Sequence, residues 1–150
     1  MNEAAQAYWN EYWGKQGAEK PESVSAWPFG ASPDQLAQLV IDGVKTATCS
    51  ALASYEAERE PLPAAGDYSI ILDSKDLPVA IIQTVEVTVM PMNEVPEEFA
   101  VAEGEGDRTY RYWREVHEDF FTKELGRLGL AFSDDIPLVC ERFRLVDVKR

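Results

Sequence analysis

The sequence contains few of the residues that build metal centres and disulfide frameworks. Its 150 residues include two cysteines, Cys49 and Cys140, and a single histidine, His117. These are too few for a structural zinc site or a disulfide-stapled fold. No stretch approaches the roughly 18–20 consecutive apolar residues of a membrane span, and the first residues lack a basic region followed by an apolar run. We therefore expect a cytoplasmic protein with no metal, no cofactor and no membrane partner.

Basic residues are also scarce. Lys and Arg number 14 against 27 Asp and Glu, which gives a formal net charge of -13. This charge weakens attraction to polyphosphates and anionic lipids, so a long nucleic-acid footprint is disfavoured while a local basic groove stays open. The hydrophobic content of 45% is typical of a globular chain, and the length predicts one domain with its own core.

Hydrophobic periodicity and turn residues divide the chain into helices and strands. Ser32 and Pro33 are typical of a helix start, Gly43 of a helix end, and Asp107 is the expected cap of the last helix. The predicted helices span residues 2–13, 34–42, 51–60, 97–102 and 107 to 126 or 129, the predicted strands 68–73, 79–90 and 137–148, and the main predicted loop 14–28. The first two strands form an antiparallel hairpin in this prediction. The pattern indicates an α+β fold with a small, partly closed barrel.

Aromatic residues concentrate near the N-terminus. Tyr8, Trp9, Tyr12 and Trp13 fall along one side of the first predicted helix. For this stripe we favour packing against the domain over a stacking wall for a base-like ligand. The predicted loop that follows ends in residues 27–30, whose two large aromatic side chains either fill the core or line a pocket.

Residues 42–50 form the most informative stretch, because a helix ends there and β-compatible residues begin. The stretch carries Lys45, Thr46 and Thr48 within one predicted element. Lys45 and Thr48 meet only if the backbone is irregular, since residues three apart on a regular strand point to opposite faces. An ordinary strand start also carries such residues.

A lysine, a hydroxyl and a carboxylate are the groups left for chemistry in a chain without metal. A buried lysine with a lowered pKa can deprotonate a threonine hydroxyl, and a nearby carboxylate can position the lysine or shuttle a proton. Glu103 is the best candidate carboxylate because it opens a glycine-flanked loop just before a helix. This chemistry suits acyl transfer or amide hydrolysis.

Other motifs favour structural interpretations. The Gly43-to-Thr46 segment lacks the glycine spacing of a phosphate loop, and arginines replace the glycine and the last carboxylate of a calcium loop. His117 is a possible general base, but a hydrogen-bonded structural histidine is favoured. Arg108, Arg111 and Arg114 form a stripe that could touch phosphates, although a solvated face paired with nearby glutamates is favoured.

Taken together and in order, several segments resemble the ASCH domain family of the PUA-like β-barrel group. These segments are the helix at 34–42 with Gly-x-Lys-x-x-Thr at 43–48, the Ala-Gly-Asp at 65–67, the strand at 79–89, the acidic loop at 102–107, the Trp-Arg-x-x-His-x-x-Phe-Phe run at 113–121 and the strand at 140–143. The resemblance covers roughly residues 27–148. It implies a single ASCH-like domain over 1–150, with an N-terminal helical extension and loop at 1–26 and a core at 27–150.

The resemblance also implies function. The family was proposed to bind RNA, one member is reported as a ribonuclease, and a shorter bacterial branch removes the acetyl group from N4-acetylcytidine. The amidohydrolase residues of that branch fall on Lys45 as base, Thr48 as nucleophile and Glu103 as proton relay. Residues expected to contact an acylated nucleoside or single-stranded RNA are Trp27, Phe29, Thr46, Glu105, Arg108, Arg114 and His117. This chain departs from that branch in its aromatic N-terminus and its longer helix after the acidic loop.

Overall fold

A computed structural model describes every residue from Met1 to Arg150. The helices are α1 Glu3–Gly14, α2 Pro33–Ile41, α3 Leu52–Glu58, α4 Glu97–Glu103 and α5 Tyr110–Arg127, with a 3-10 turn at Met92–Glu94. The strands are β1 Ser25–Pro28, β2 Ala47–Ala51, β3 Tyr68–Leu72, β4 Pro78–Pro91 and β5 Pro137–Val148. None of the helices combines the length and the apolar character needed to cross a lipid bilayer.

The five strands form one sheet in the order β1-β3-β4-β5-β2. Three of the four pairings are antiparallel, whereas β1 runs parallel to β3. The register between β4 and β5 shifts at Ile81/Ile82 and at Thr84/Glu86. Such bulges bend and twist strands, and here the sheet curls into a half-barrel whose free edges are β1 and β2. The predicted α+β class with a partly closed barrel is confirmed.

Three local predictions were wrong. The predicted loop at 14–28 contains strand β1, and Lys45 lies just before β2 instead of within one element with Thr48. The cap of α5 is Thr109, whose side chain accepts the Tyr112 N–H, while Asp107 accepts hydrogen bonds from Thr109 itself. Pairing with β3 and β5 sets where β1 and β2 form, whereas hydrogen bonds among neighbouring residues select Thr109 as the cap.

The core divides into three groups of side chains. One packs helices α4 and α5 against one face of β2 and β5, and a second fills the other face around Phe29, Val40 and Phe143. The third holds α1 against β3 and β4 through Tyr8 and Trp9. The aromatic stripe of the first helix therefore packs against the domain, as favoured. Asn2 caps the N-terminus of helix α1, because its side chain accepts the Ala5 N–H at 2.8 Å.

Candidate active site

A buried set of charged residues lies where β2 begins. The Lys45 ammonium, in a residue only 2% exposed, is surrounded by acceptors. Its Nζ donates to the Ala47 carbonyl at 2.9 Å, to Glu103 Oε1 at 3.2 Å and to Glu105 Oε2 at 3.1 Å. With His117, these residues form what we call the ion cluster: Lys45, Glu103, Glu105 and His117.

Glu103 lies at the centre of the ion cluster and is 1% exposed. Besides Lys45, its carboxylate accepts a hydrogen bond from the Trp113 indole N–H and one from Cys49 Sγ at 3.3 Å. His117 Nε2 lies 3.4 Å from Glu103 Oε2. A buried carboxylate is stable only when its oxygens are paired in this way. Four side chains therefore hold Glu103 in one position.

The backbone at Gly104 brings Glu103 to Lys45. Gly104 ends α4 with a φ of +71°, and a Cβ on it would lie 2.6 Å from the Val44 carbonyl oxygen. Only glycine combines this left-handed conformation with so close an approach. The Thr46 N–H donates to the Ala102 carbonyl at 2.7 Å, which ties the end of α4 to the entry of β2. Glycine in the acidic loop is thus required for the ion cluster to form.

The charges of the ion cluster control one another's protonation. Burial disfavours the Lys45 ammonium, but Glu103 and Glu105 outweigh it and raise the pKa of Lys45. Burial likewise opposes ionisation of Glu103, yet Lys45 and His117 lower the pKa of that carboxyl. The lowered lysine pKa expected from sequence is therefore wrong, because two carboxylates face the ammonium. Lys45 holds its proton at neutral pH.

His117 has both ring nitrogens engaged. Nδ1 lies 2.7 Å from the Trp113 carbonyl oxygen, which can only accept a hydrogen bond, so Nδ1 carries a proton. Nε2 faces the Glu103 carboxylate. Burial alone lowers the pKa of His117, but the Glu103 interaction reverses this and raises it. Both ring nitrogens therefore have partners within the protein, which is typical of a hydrogen-bonded structural histidine.

Cys49, Glu103 and His117 also offer the donor types that zinc binds, with their ligand atoms all within 4.8 Å of one another. The neighbouring Lys45 ammonium opposes a cation there, and Glu103 is already paired with four donors. Burial and the Glu103 charge raise the pKa of the Cys49 thiol well above its usual value, so it is not a ready thiolate. The donor set does not fit a metal.

A cleft of about 830 Å³ opens between the two free edges of the half-barrel. Strand β1 lies on one side and β2 on the other. The aromatic wall comprises Trp27, Phe29, Tyr55, Phe120 and Phe121. The Trp27 and Phe29 rings meet edge to face with centroids 5.0 Å apart. Trp27 and Phe29 therefore both line the cleft, and Phe29, only 4% exposed, also belongs to the core.

The floor of the cleft is polar. We call it the polar floor: Ser69 of β3, Thr84 of β4, Glu141 of β5 and Thr48 of β2. Thr84 Oγ1 donates to Glu141 Oε1 at 3.4 Å, and Glu141 is 9% exposed. Burial raises the pKa of the Glu141 carboxyl, against the Thr84 hydrogen bond that lowers it. A hydroxyl and a carboxyl thus share the base of an aromatic-walled cavity.

Thr48 and the ion cluster lie on opposite faces of β2. Ala47, Cys49 and Ala51 pack with the α4 and α5 core, while Thr48 lines the cleft. None of the four acceptors of the Lys45 ammonium belongs to Thr48. Two residues connect the regions: Cys49 borders the cleft and contacts Glu103, and the Phe29 ring lies 5.4 Å from Lys45 Nζ.

The remaining predicted contact residues lie outside the cleft. Thr46 is exposed and its hydroxyl approaches the Ala102 carbonyl at 3.4 Å. Arg114 pairs with Asp134 and with Glu118, and Arg111 pairs with Glu115. Arg108 is exposed and adopts a left-handed φ of 63°. The arginine stripe is largely a solvated, carboxylate-paired face, as favoured.

Three residues of this region were not predicted from the sequence to belong to the site: Cys49, Trp113 and Glu141. Trp113 is four residues before His117, and this spacing was the available sign that both face one partner. Cys49 directly follows Thr48, so its contact with the opposite face was readable from strand alternation. Glu141 had no local signal, because its position opposite Thr48 is fixed only by strand register.

Comparison with known proteins settles the family. The sequence profile of the ASCH domain matches residues 25–147. The chain belongs to the ASCH domain family. This confirms the resemblance drawn from the Gly-x-Lys-x-x-Thr stretch, the acidic loop and the long helix. The fold is accordingly PUA-like, of a family proposed to bind RNA or to catalyse hydrolysis. No protein of curated function matches the chain.

Two solved structures superpose closely on this one, and a third shares its fold. Protein EF3133 from Enterococcus faecalis V583 is 44% identical over 99% of this chain and 91% of its own, with a TM-score of 0.87. An ASCH domain from Lactobacillus crispatus JV V101 is 33% identical over 97% of this chain and 95% of its own, with a TM-score of 0.92. A mutant form of ZmASCH from Zymomonas mobilis is 12% identical over 85% of this chain and 73% of its own, with a TM-score of 0.53, so it shares the fold alone.

Proposed function

We propose that this ASCH protein is an amidohydrolase that removes the acyl group from an acylated nucleoside such as N4-acetylcytidine, with Thr48 as nucleophile. The observation that carries the proposal is the position of Thr48 on the polar floor of an aromatic-walled cleft. A hydroxyl at the base of such a cavity is placed to attack an acyl carbon held between the walls.

The cleft suits a flat, neutral ligand. Its volume of about 830 Å³ falls within the about 300–1,000 Å³ usual for small-molecule sites. The rings of Trp27 and Phe29 offer faces and edges for a base. Ser54 borders the same cleft, and its hydroxyl oxygen is buried with no hydrogen-bond partner in the protein. A polar ligand would satisfy that hydroxyl.

The chemistry proceeds through an ester. Thr48 Oγ1 bonds to the acetyl carbon, the bond from that carbon to N4 breaks, and cytidine leaves with a proton on N4. Water then attacks the ester, releasing acetate and restoring the Thr48 hydroxyl. The family resemblance gives the base role to Lys45 and the relay role to Glu103, but both lie behind β2, and the Lys45 ammonium has no contact with Thr48. Lys45 would also have to lose its proton before acting as a base, although Glu103 and Glu105 raise its pKa.

The electrostatics favour a small neutral substrate over a polymer. The chain carries a net charge of -13, and four carboxylates besides Glu141 line the cleft: Glu58, Glu60, Asp67 and Glu124. The arginines expected to contact phosphates are mostly paired with carboxylates instead. A phosphate backbone would be repelled at this rim, whereas an uncharged nucleoside is unaffected. The RNA-binding and ribonuclease alternatives therefore have weaker support.

The test is turnover of N4-acetylcytidine, with cytidine followed by chromatography. We expect release of cytidine by the unaltered protein, with loss in Thr48→Ala but not in Thr88→Ala, a matched change at an exposed position on β4. Turnover should vary little with salt because the substrate is neutral. Absence of turnover, together with salt-sensitive binding or cleavage of single-stranded RNA, would replace the proposal with the RNA alternative.

A further inference from the structure

Glu141 lies directly across the sheet from Thr48. The two residues are register partners in the antiparallel β2–β5 pair, and both side chains line the cleft. Directly opposite residues in such a pair have Cβ atoms about 4.5–5.5 Å apart. The Glu141 carboxylate is hydrogen-bonded to Thr84 and not to Thr48 here, but a rotation of its side chain would bring an oxygen to the Thr48 hydroxyl at this spacing. Glu141 has no part in the chemistry described so far.

We infer that Glu141 is the general acid–base that serves Thr48, an assignment that rests on the proposed function and adds a catalytic residue to it. The alternative base, Lys45, is held by three oxygen acceptors within 3.2 Å and lies behind β2. Glu141 is on the same face as Thr48, and its carboxylate accepts only the Thr84 hydroxyl, at 3.4 Å. It therefore has a free oxygen for the Thr48 proton.

Glu141 carries one proton in each half of the reaction in this scheme. As Thr48 Oγ1 bonds to the acetyl carbon, its proton moves to the Glu141 carboxylate. Glu141 then protonates N4 as the bond from carbon to N4 breaks. In the second half, a water proton passes to Glu141 while the water oxygen bonds to the acetyl carbon. The bond from the acetyl carbon to Oγ1 of Thr48 then breaks, and Oγ1 accepts the proton held by Glu141. Acetic acid leaves and ionises in solvent.

The surroundings of Glu141 suit an acid–base. Burial raises the pKa of its carboxyl and the Asp67 charge adds to this, while the Thr84 hydrogen bond works against both. The other titratable groups that line the cleft are Cys49 on β2, Tyr55 on α3 and the carboxyls of Glu58, Glu60, Asp67 and Glu124. No lysine or arginine lines the cleft beside Glu141. A carboxyl pKa closer to neutrality improves proton transfer in both directions.

The experiment compares Glu141→Gln with Glu86→Gln, the same change at an exposed position on β4. Turnover of N4-acetylcytidine and the thermal unfolding midpoint are measured for both variants and for the unaltered protein. We expect Glu141→Gln to lose about 10²–10⁴-fold in kcat/KM, the usual contribution of acid–base catalysis, with Glu86→Gln unchanged. An unfolding midpoint close to the unaltered value shows that the loss is not misfolding.

The pH profile of the unaltered protein separates the two candidate bases. It also tests the inference if Glu141→Gln folds poorly. With Glu141 as base, kcat/KM of the unaltered protein falls as pH drops through the raised pKa of Glu141 and levels off above it. With Lys45 as base, kcat/KM keeps rising into the alkaline range, because the pKa of Lys45 is raised. A rise of kcat/KM into the alkaline range, or a loss of kcat/KM below about tenfold in Glu141→Gln, overturns this inference but leaves the proposed function standing. No turnover by the unaltered protein overturns the proposed function with it.

Discussion

Replacing Lys45 by Met tests whether the ion cluster holds the fold together. The change removes the ammonium while keeping a side chain of similar length. It leaves Glu103, whose side chain is 1% exposed, without the Lys45 ammonium. Removing one partner of a buried pair costs about 3–5 kcal/mol, because the other charge stays buried and unpaired. Against a typical total stability of about 5–15 kcal/mol, this loss is readily measured.

Urea denaturation followed by tryptophan fluorescence supplies the measurement, with Lys123→Met as the control. Lys123 also forms an ion pair, with Asp119 at 3.0 Å, but both side chains are 69% exposed. An exposed pair contributes about 0–1 kcal/mol, so the control should lie close to the unaltered protein. The two variants therefore differ in burial and not in the type of charge removed.

Acid should narrow the gap between Lys45→Met and the unaltered protein. In the unaltered protein the pKa of Glu103 is lowered, so Glu103 stabilises the fold above its unfolded pKa and loses that effect as pH falls through the folded one. In the variant the buried carboxyl loses the Lys45 ammonium, the strongest of the groups that lower its pKa, so its pKa rises and protonation relieves the penalty. A loss no larger than that of Lys123→Met, or a gap independent of pH, would refute this reasoning.

Three further changes, each measured by urea denaturation, test two contacts that position Glu103 and one cap that stabilises α1. Gly104→Ala should lose about 1–3 kcal/mol, because its Cβ would lie 2.6 Å from the Val44 carbonyl oxygen at a left-handed φ; unchanged stability would show that the two backbones move apart freely. Trp113→Phe should lose about 1.5–3 kcal/mol by removing the indole donor to Glu103, and an equal stability would mean the hydrogen bond contributes nothing. Asn2→Ala should lose about 1 kcal/mol of cap stabilisation, and no loss would show that α1 needs no cap.

The fold was largely predictable from local patterns. Helical periodicity located α2 and α5 to within a few residues, although the predicted cap of α5 was wrong, and alternation located β4 and β5. Strand β1 was missed because it is four residues long, includes a proline and acquires its partner β3 from a segment about 40 residues later. A short parallel edge strand leaves almost no local signal.

The candidate site was predictable in part. The pairing of Lys45 with Glu103 was expected, and it follows from a glycine-flanked carboxylate next to a helix end. The direction in which the Lys45 pKa shifts was not expected, because it depends on Glu103 and Glu105 converging on one ammonium. Glu141 was missed for a related reason: strand register, a property of the folded sheet, places it opposite Thr48.

The central claim is that Thr48 is a nucleophile, and trapping the acylated protein tests it most directly. The protein is mixed with excess N4-acetylcytidine, quenched with acid and mapped by peptide mass spectrometry, with Thr48→Ala and Thr88→Ala beside it. The account predicts one acetyl group on Thr48 in the unaltered protein and in Thr88→Ala, and none in Thr48→Ala. Cytidine release by Thr48→Ala at the unaltered rate, with no acetylated peptide in any sample, would contradict it.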